Sequence, residues 1–168
     1  KGHHPFVDHF RFVQDLEDAN TVAKLTIPAP AQFLEQLAMP FALQNTRRYY
    51  ADDQRLEDDL VACYQAFIQD VYDAGCRNLQ FDDCSWGLLV DPHAEQFFGT
   101  DAAGIERTKE RFLQVNNRVL DARPEGLTIN THVCRGNFHS TWACEGGYDD
   151  VAGTLFAREH VDNFFLEF

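Results

Sequence analysis

The sequence predicts an α/β fold with a parallel sheet, and two observations carry this prediction. Four apolar runs have the length and composition of buried strands, at residues 22–27, 77–81, 127–133 and 161–168. Helical patterns separate them, so that strand and helix alternate along the chain. We interpret the strands as apolar on both faces, which is typical of parallel sheets covered by crossover helices.

Helices are predicted wherever apolar residues recur at spacings of three or four. The first precedes the first strand and carries Phe6, Phe10, Val13 and Leu16. Further helices are predicted over residues 30–38, 52–74, 104–122 and 149–160. The boundaries of the helix over 52–74 are the clearest, because Asp52 and Asp53 suit a helix N-terminus and Gly75 suits a left-handed C-cap.

Two architectures share this order of elements, an open doubly wound sheet and a (β/α)8 TIM barrel. No G-x-G-x-x-G run follows a predicted strand, which weakens a dinucleotide-binding interpretation. A whole barrel needs about 250 residues, so this chain would supply about four βα units. Because it starts at Lys1 and stops at Phe168 within a predicted strand, we expect residues 1–168 to form a single domain that is a fragment of a longer barrel protein. Segments 84–103 and 135–150 are then expected to be loops at the carboxyl rim of the strands.

The composition excludes several classes of partner. The chain has 27 acidic and 14 basic residues and a net charge of −13. This charge repels phosphate groups, so we exclude nucleic acids and anionic membranes as partners. No apolar run reaches the roughly 18 residues that a membrane span requires. The five cysteines are odd in number and widely spaced, which favours free thiols in a cytoplasmic protein.

The strongest candidate for chemistry is the pair His132 and Cys134 at the end of the third predicted strand. Side chains two apart on a strand point to the same side, about 6–7 Å from each other, and could close on one ion. An imidazole with a thiolate favours Zn²⁺, although a core histidine beside a structural cysteine would look the same. Glu167 fits as a third ligand, because a carboxylate in an apolar strand is costly unless it is paired or metal-bound. The alternative is that Glu167 is exposed at a frayed chain end, where its carboxylate would have no functional role.

Asp82 and Asp83 end the second predicted strand and, being adjacent, point to opposite faces. One of them could enter the barrel interior and hold the ammonium group of a ligand beside the cation. The alternative is that both aspartates cap a turn or a helix.

Weaker candidates lie in the two predicted rim loops. Trp86 and Trp142 could stack on a flat ring, although loop aromatics more often seal a loop against the core. His139, Cys144 and Glu145 could act as stand-in ligands, although we expect them at the surface.

Several runs of the sequence occur in a recognisable order. They are KLTIP (24–28), YDAGC (72–76), LQFDDCSW (79–86), THVCRGNF (131–138), STW (140–142), EGGYD (145–149) and FFLE (164–167). In this order they resemble the cobalamin-independent methionine synthase family, most closely its short bacterial members with a single barrel. The resemblance covers nearly the whole chain.

This resemblance implies a fold, a cofactor and a reaction. The chain would supply strands four to seven of a (β/α)8 barrel, and His132, Cys134 and Glu167 would hold one zinc ion. A fourth ligand, a cysteine, would follow Phe168. Asp82 would bind the amino group of homocysteine, whose thiol would be bound to zinc as a thiolate and methylated to give methionine.

The methyl donor implied by the resemblance is 5-methyltetrahydrofolate or its polyglutamate. Long members have Glu-Pro where this chain has Asp83-Cys84, and Arg-Gly-Asn follows the Cys134 ligand here. These departures leave the donor open, and no residue is assigned as the general acid.

Other functions remain open at the level of sequence. One alternative is zinc-dependent alkyl transfer to another thiol. A decarboxylase of the uroporphyrinogen decarboxylase type is less favoured, because that group lacks the H-x-C motif. A metal hydrolase is also less favoured, because its barrel would prefer an H-x-H motif. The chain could also be a catalytically silent half-barrel whose open edge strands pair with a second copy to give a homodimer.

Overall fold

Four strands form one parallel sheet in which neighbours in the chain are neighbours in space. The computed structural model describes residues 2–168, and its strands are β1 (Leu25–Pro28), β2 (Asn78–Asp83), β3 (Thr128–Val133) and β4 (Phe164–Leu166). Their order in the sheet is β1-β2-β3-β4, and all three pairings are parallel. A doubly wound sheet reverses its order at a switch point, whereas a barrel does not. The fold is therefore α/β and of the partial TIM-barrel type, as predicted.

Helices connect the strands. Those of the described residues are α1 (Pro5–Gln14), α2 (Pro30–Ala38), α3 (Pro40–Arg47), α4 (Asp53–Asp73), α5 (Ser85–Leu89), α6 (Ala94–Phe98), α7 (Ala102–Leu120), α8 (Asp149–Ala152) and α9 (Leu155–Arg158). The predictions over 30–38, 52–74 and 104–122 are confirmed to within two residues at each end. Across residues 2–168, no helix is both long enough and apolar enough to cross a membrane.

Other element predictions need correction. The single helix over 149–160 is wrong: a turn at Gly153 and Thr154 separates α8 from α9, which fits the low helix propensity of glycine. The last strand is shorter than predicted, because only its three residues 164–166 pair with β3. The segment 84–103 is not an open loop, since α5 and α6 lie within it, and α3 was not predicted.

The two faces of the sheet differ, contrary to the expectation of strands that are apolar on both. Along β2, burial alternates, with Leu79, Phe81 and Asp83 fully buried and the other three residues only partly buried. The opposite face is polar and carries a row of amides, in which Asn163 donates to Asn130 at 2.7 Å and Asn130 donates to Asn78 at 3.1 Å. This polar face leads towards the carboxyl ends of β2 and β3.

Trp86 is fully buried in α5, so it does not lie in an open loop. We expect Trp86→Ala to lower the free energy of unfolding by about 3–5 kcal/mol, because it empties a large buried volume. Trp142→Ala is the matched control, since Trp142 is 61% exposed and its loss should change stability by no more than about 0.5 kcal/mol. Urea unfolding of both variants checks this, and equal losses would contradict it.

Candidate metal centre

Asp82, His132 and Cys134 converge at the carboxyl ends of β2 and β3. Asp82 lies directly opposite His132 in the parallel ladder. Cys134 lies two residues after His132 and therefore follows it on the same side of the sheet. One ligand atom from each residue lies within 4.8 Å of the other two. We call these three residues the metal centre.

His132 presents one ring nitrogen to this centre. Its Nδ1 lies 3.0 Å from the backbone carbonyl oxygen of Phe165. A carbonyl can only accept, so in the neutral ring Nδ1 carries the proton and the lone pair lies on Nε2. This is the arrangement in which protein histidines bind metals, with the distant nitrogen fixed by a hydrogen bond.

One carboxylate oxygen of Asp82 lies near Nε2 of His132 and has no hydrogen-bond partner. Its Oδ1 is buried without a hydrogen-bond partner and lies 3.9 Å from Nε2 of His132. That distance is too long for a hydrogen bond, so this oxygen is left without a partner beside the imidazole. A cation could satisfy it, either a metal ion held by His132 and Cys134, whose nitrogen and sulfur donors suit Zn²⁺, or the ammonium group of a ligand.

Cys134 supplies the sulfur. The backbone N–H of Gly136 donates to its Sγ at 3.2 Å, which fixes the side chain at the rim. The backbone N–H of Cys134 itself donates to the carbonyl oxygen of Asp83 at 3.3 Å, so the residue stays tied to β2.

Glu167 lies just after β4 and is bound to the loop that follows Cys134. Its carboxylate accepts from the backbone N–H of Arg135 at 2.7 Å and from the side-chain amide of Asn137 at 2.9 Å. It does not belong to the three-residue group found among residues 2–168. Each carboxylate oxygen has two lone pairs, so these hydrogen bonds leave Glu167 with free acceptor capacity.

Asp83 points away from the metal centre, as the alternation along β2 requires. It is fully buried, accepts hydrogen bonds from the backbone and hydroxyl of Ser85, and so caps α5. Its other oxygen accepts from Asn116 at 3.1 Å. Of the two predicted roles for these aspartates, the capping role belongs to Asp83, and Asp82 faces the polar side.

A buried carboxyl cluster, formed by Glu35, Asp83 and Glu159, lies behind the sheet. Asn116 donates to Glu159 at 2.6 Å as well as to Asp83. Burial, and then the charge of Asp83, raises the pKa of Glu159 to about 8, and burial also raises the pKa of Glu35 to about 7. Burial raises the pKa of Asp83 too. This cluster was not predicted, because its members lie far apart along the chain.

The weaker candidates are divided between surface and core. Of the three residues predicted at the surface, His139 and Glu145 are exposed, and so is Trp142, whereas the prediction for Cys144 is wrong. Cys144 is buried instead, and its thiol donates to the carbonyl oxygen of Arg135 at 3.4 Å. A cavity of about 530 Å³ at this rim is lined by residues that include Trp142 and Glu167.

Gly87 in α5 packs against the backbone of the metal centre. A Cβ at this position would lie 2.6 Å from the carbonyl oxygen of Cys134 and 2.9 Å from Sγ of Cys144. We expect Gly87→Ala to destabilise the fold by about 1–3 kcal/mol, because backbone must move to admit the methyl group. Gly153→Ala is the control, since its Cβ meets nothing within 4 Å. Thermal unfolding of both variants measures the difference, and an unchanged Gly87→Ala protein would contradict the expectation.

Two curated relatives come from Bacillus subtilis strain 168. Over 165 residues, the chain is 35% identical to the uncharacterized protein YxjH and 33% identical to the uncharacterized protein YxjG. Each match covers 98% of this chain but 42% of the relative. The chain therefore spans less than half the length of the curated relatives it matches.

A crystal structure from Listeria monocytogenes matches the fold with a TM-score of 0.75 at 34% sequence identity. The match covers 99% of this chain and 45% of that chain, whose name presents it as a candidate vitamin-B12-independent methionine synthase. No protein-family profile matches the sequence. Over nearly its whole length, then, this α/β chain is similar in sequence and fold to a protein named as a candidate methionine synthase.

Proposed function

We propose that the chain carries the metal centre of a zinc-dependent methyltransferase that methylates the thiol of homocysteine to give methionine. The observation that carries this proposal is the convergence of Asp82, His132 and Cys134 within 4.8 Å at the carboxyl rim of a barrel-type sheet. Barrel enzymes hold their chemistry at this rim. The likeness to a protein named as a candidate methionine synthase supports the same reaction class.

In this proposal His132, Cys134 and Glu167 hold one zinc ion. A bound zinc ion would supply a substrate thiolate at neutral pH, because coordination deprotonates a thiol. His132 would contribute Nε2, because its Nδ1 is bound to the carbonyl oxygen of Phe165. The hydrogen bonds from Arg135 and Asn137 orient the carboxylate of Glu167, as partners of a ligand do in metal sites.

Asp82 would bind the ammonium group of homocysteine beside the ion. Its Oδ1 has no hydrogen-bond partner and is buried, so a cationic group is the partner it lacks. The methyl donor would be 5-methyltetrahydrofolate or its polyglutamate. The rim cavity, of which the exposed Trp142 forms one wall, offers a surface for such a flat ring.

The proposal is tested by titrating the zinc-loaded protein with homocysteine and with the same thiol lacking its amino group. Binding of either thiol to zinc should release a proton, which a pH indicator reports. We expect wild type to bind homocysteine about 10- to 100-fold more tightly than the analogue, because a charged hydrogen bond contributes about 1.5–3 kcal/mol. Asp82→Asn should lose this preference.

Asp150→Asn is the control for this titration, since Asp150 is exposed and lies outside the metal centre. It should keep the preference of wild type. Absence of proton release from the zinc-loaded wild type would contradict the proposed function, and equal affinity for both thiols in wild type would contradict the role of Asp82.

A further inference from the structure

Cys84 and Cys134 lie side by side at the carboxyl ends of β2 and β3. The parallel ladder runs as far as the pair Asp83 and Val133, and each cysteine is the next residue of its strand. The hydrogen bond from Cys134 N–H to Asp83 keeps the two chains together at this point. Neighbouring strands lie about 4.8 Å apart, within the Cα separation of about 4.4–6.8 Å found in disulfides.

The two thiols are near neighbours across this pair of strands. The pKa of the Cys84 thiol lies above its ordinary value, first because of burial and then because of its contact with the Cys134 thiol. Both residues are partly exposed, and both thiols are free. Cys84 does not join Asp82 and His132 in the three-residue group found in the described part of the chain. Cys84 is therefore a neighbour of Cys134 that lies outside the metal centre as defined above.

The other three cysteines are less well placed to react with Cys134. Cys144 is buried and its thiol is held by the carbonyl oxygen of Arg135. Cys76 is also buried and donates to the carbonyl oxygen of Asn78 at 3.4 Å. Cys63 lies exposed on α4, which contributes no residue to the metal centre.

We propose that Cys84 and Cys134 are a site of reversible thiol oxidation, at which a small-molecule disulfide converts the two thiols into a protein disulfide. One cysteine attacks the small disulfide, giving a mixed disulfide and one small thiol. The second cysteine displaces the other small thiol, so that two protein thiols and one disulfide become one protein disulfide and two small thiols. The two electrons and two protons pass to the small thiols, and excess small thiol reverses the exchange.

The consequence for metal binding rests on the proposed function. A sulfur bound in a disulfide cannot act as a thiolate ligand, so oxidation of this pair would remove Cys134 from the metal centre. Bound zinc should in turn protect the pair. With zinc at about ten times its dissociation constant, the exchange should be about tenfold slower, since only the metal-free fraction reacts.

The experiment is to incubate the metal-free protein with oxidised glutathione, alkylate the remaining thiols, digest the protein and map the linked peptides by mass spectrometry. We expect a link between Cys84 and Cys134 to dominate, with Cys76 and Cys144 recovered in alkylated form after denaturation. A second sample loaded with zinc measures protection. Excess reduced glutathione should restore both thiols.

Two serine variants complete the test. Cys84→Ser should form no internal link and should accumulate glutathione on Cys134, whereas Cys144→Ser should form the link as wild type does. A link between Cys134 and Cys144, or stable mixed disulfides without any internal link in wild type, would overturn the proposal. Equal rates with and without bound zinc would overturn only the connection to the metal centre, and the peptide map is readable even if the protein binds no zinc.

Discussion

Alanine at His132 or at Cys134 is expected to abolish zinc binding. Each substitution removes one of the donor atoms that meet at the metal centre. Residues that merely orient a ligand already contribute about 10- to 100-fold to metal affinity, so the loss of a ligand should exceed this. Competition with a chromophoric chelator measures the affinity, and metal analysis of the purified proteins measures the content.

The controls are His139→Ala and Cys63→Ala, which remove an exposed imidazole and an exposed thiol outside the metal centre. Both should bind zinc as wild type does. Equal zinc in all five proteins would exclude the proposed centre. Glu167→Gln extends the series: loss of affinity supports Glu167 as a ligand, and unchanged affinity excludes it.

Stability is expected to fall steeply as the pH rises from about 5 to 8, because of the buried carboxyl cluster. In the folded chain the pKa of Glu159 is about 8 and that of Glu35 about 7, whereas both groups ionise near their ordinary value of 4.5 after unfolding. Between these values the folded state holds more protons than the unfolded state. Raising the pH therefore favours unfolding, by up to about 1.4 kcal/mol per pH unit for each group.

Glu159→Gln should flatten this dependence. The amide keeps the shape of the protonated acid but does not ionise, so the variant should gain stability relative to wild type as the pH rises towards 8. Urea unfolding at pH 5, 6.5 and 8 measures the slope. Carboxyls with a lowered pKa, such as Asp53 and Asp58, act below about pH 4 and do not enter this window.

Glu125→Gln is the matched control, since Glu125 is exposed and should leave the slope as in wild type. A wild-type stability that is constant or rising between pH 5 and 8 would contradict the expectation. An unchanged slope in Glu159→Gln would show that this residue does not hold its proton in the folded state.

The sequence was sufficient to predict the order of strands and helices, because each long element carries its own periodicity. The helix over 52–74, with its acidic start and Gly75 behind it, needed no tertiary information. The interruption between α8 and α9 at Gly153 was harder to predict. Val151 and Leu155 have the spacing of one continuous helix, and both are buried. Whether a glycine interrupts such a pattern depends on the packing around it.

Part of the candidate site could also be predicted from the sequence. The spacing of His132 and Cys134 predicted that both side chains lie on one side of β3, and both belong to the metal centre. The alternation along β2 puts Asp82 rather than Asp83 on this side, but its position opposite His132 depends on the register of β2 against β3, which no local pattern contains. The contact between Cys84 and Cys134 depends on the same register.

The alternation at Asp82 and Asp83 restricts how this protein can change in evolution. An inserted or deleted residue within β2 would exchange the two aspartates, turning one away from His132 and forcing the other out of its fully buried position. Such length changes should therefore be absent from this strand among functional descendants. The exposed stretch 138–141 bears no such constraint, and we expect homologous chains to vary in length there.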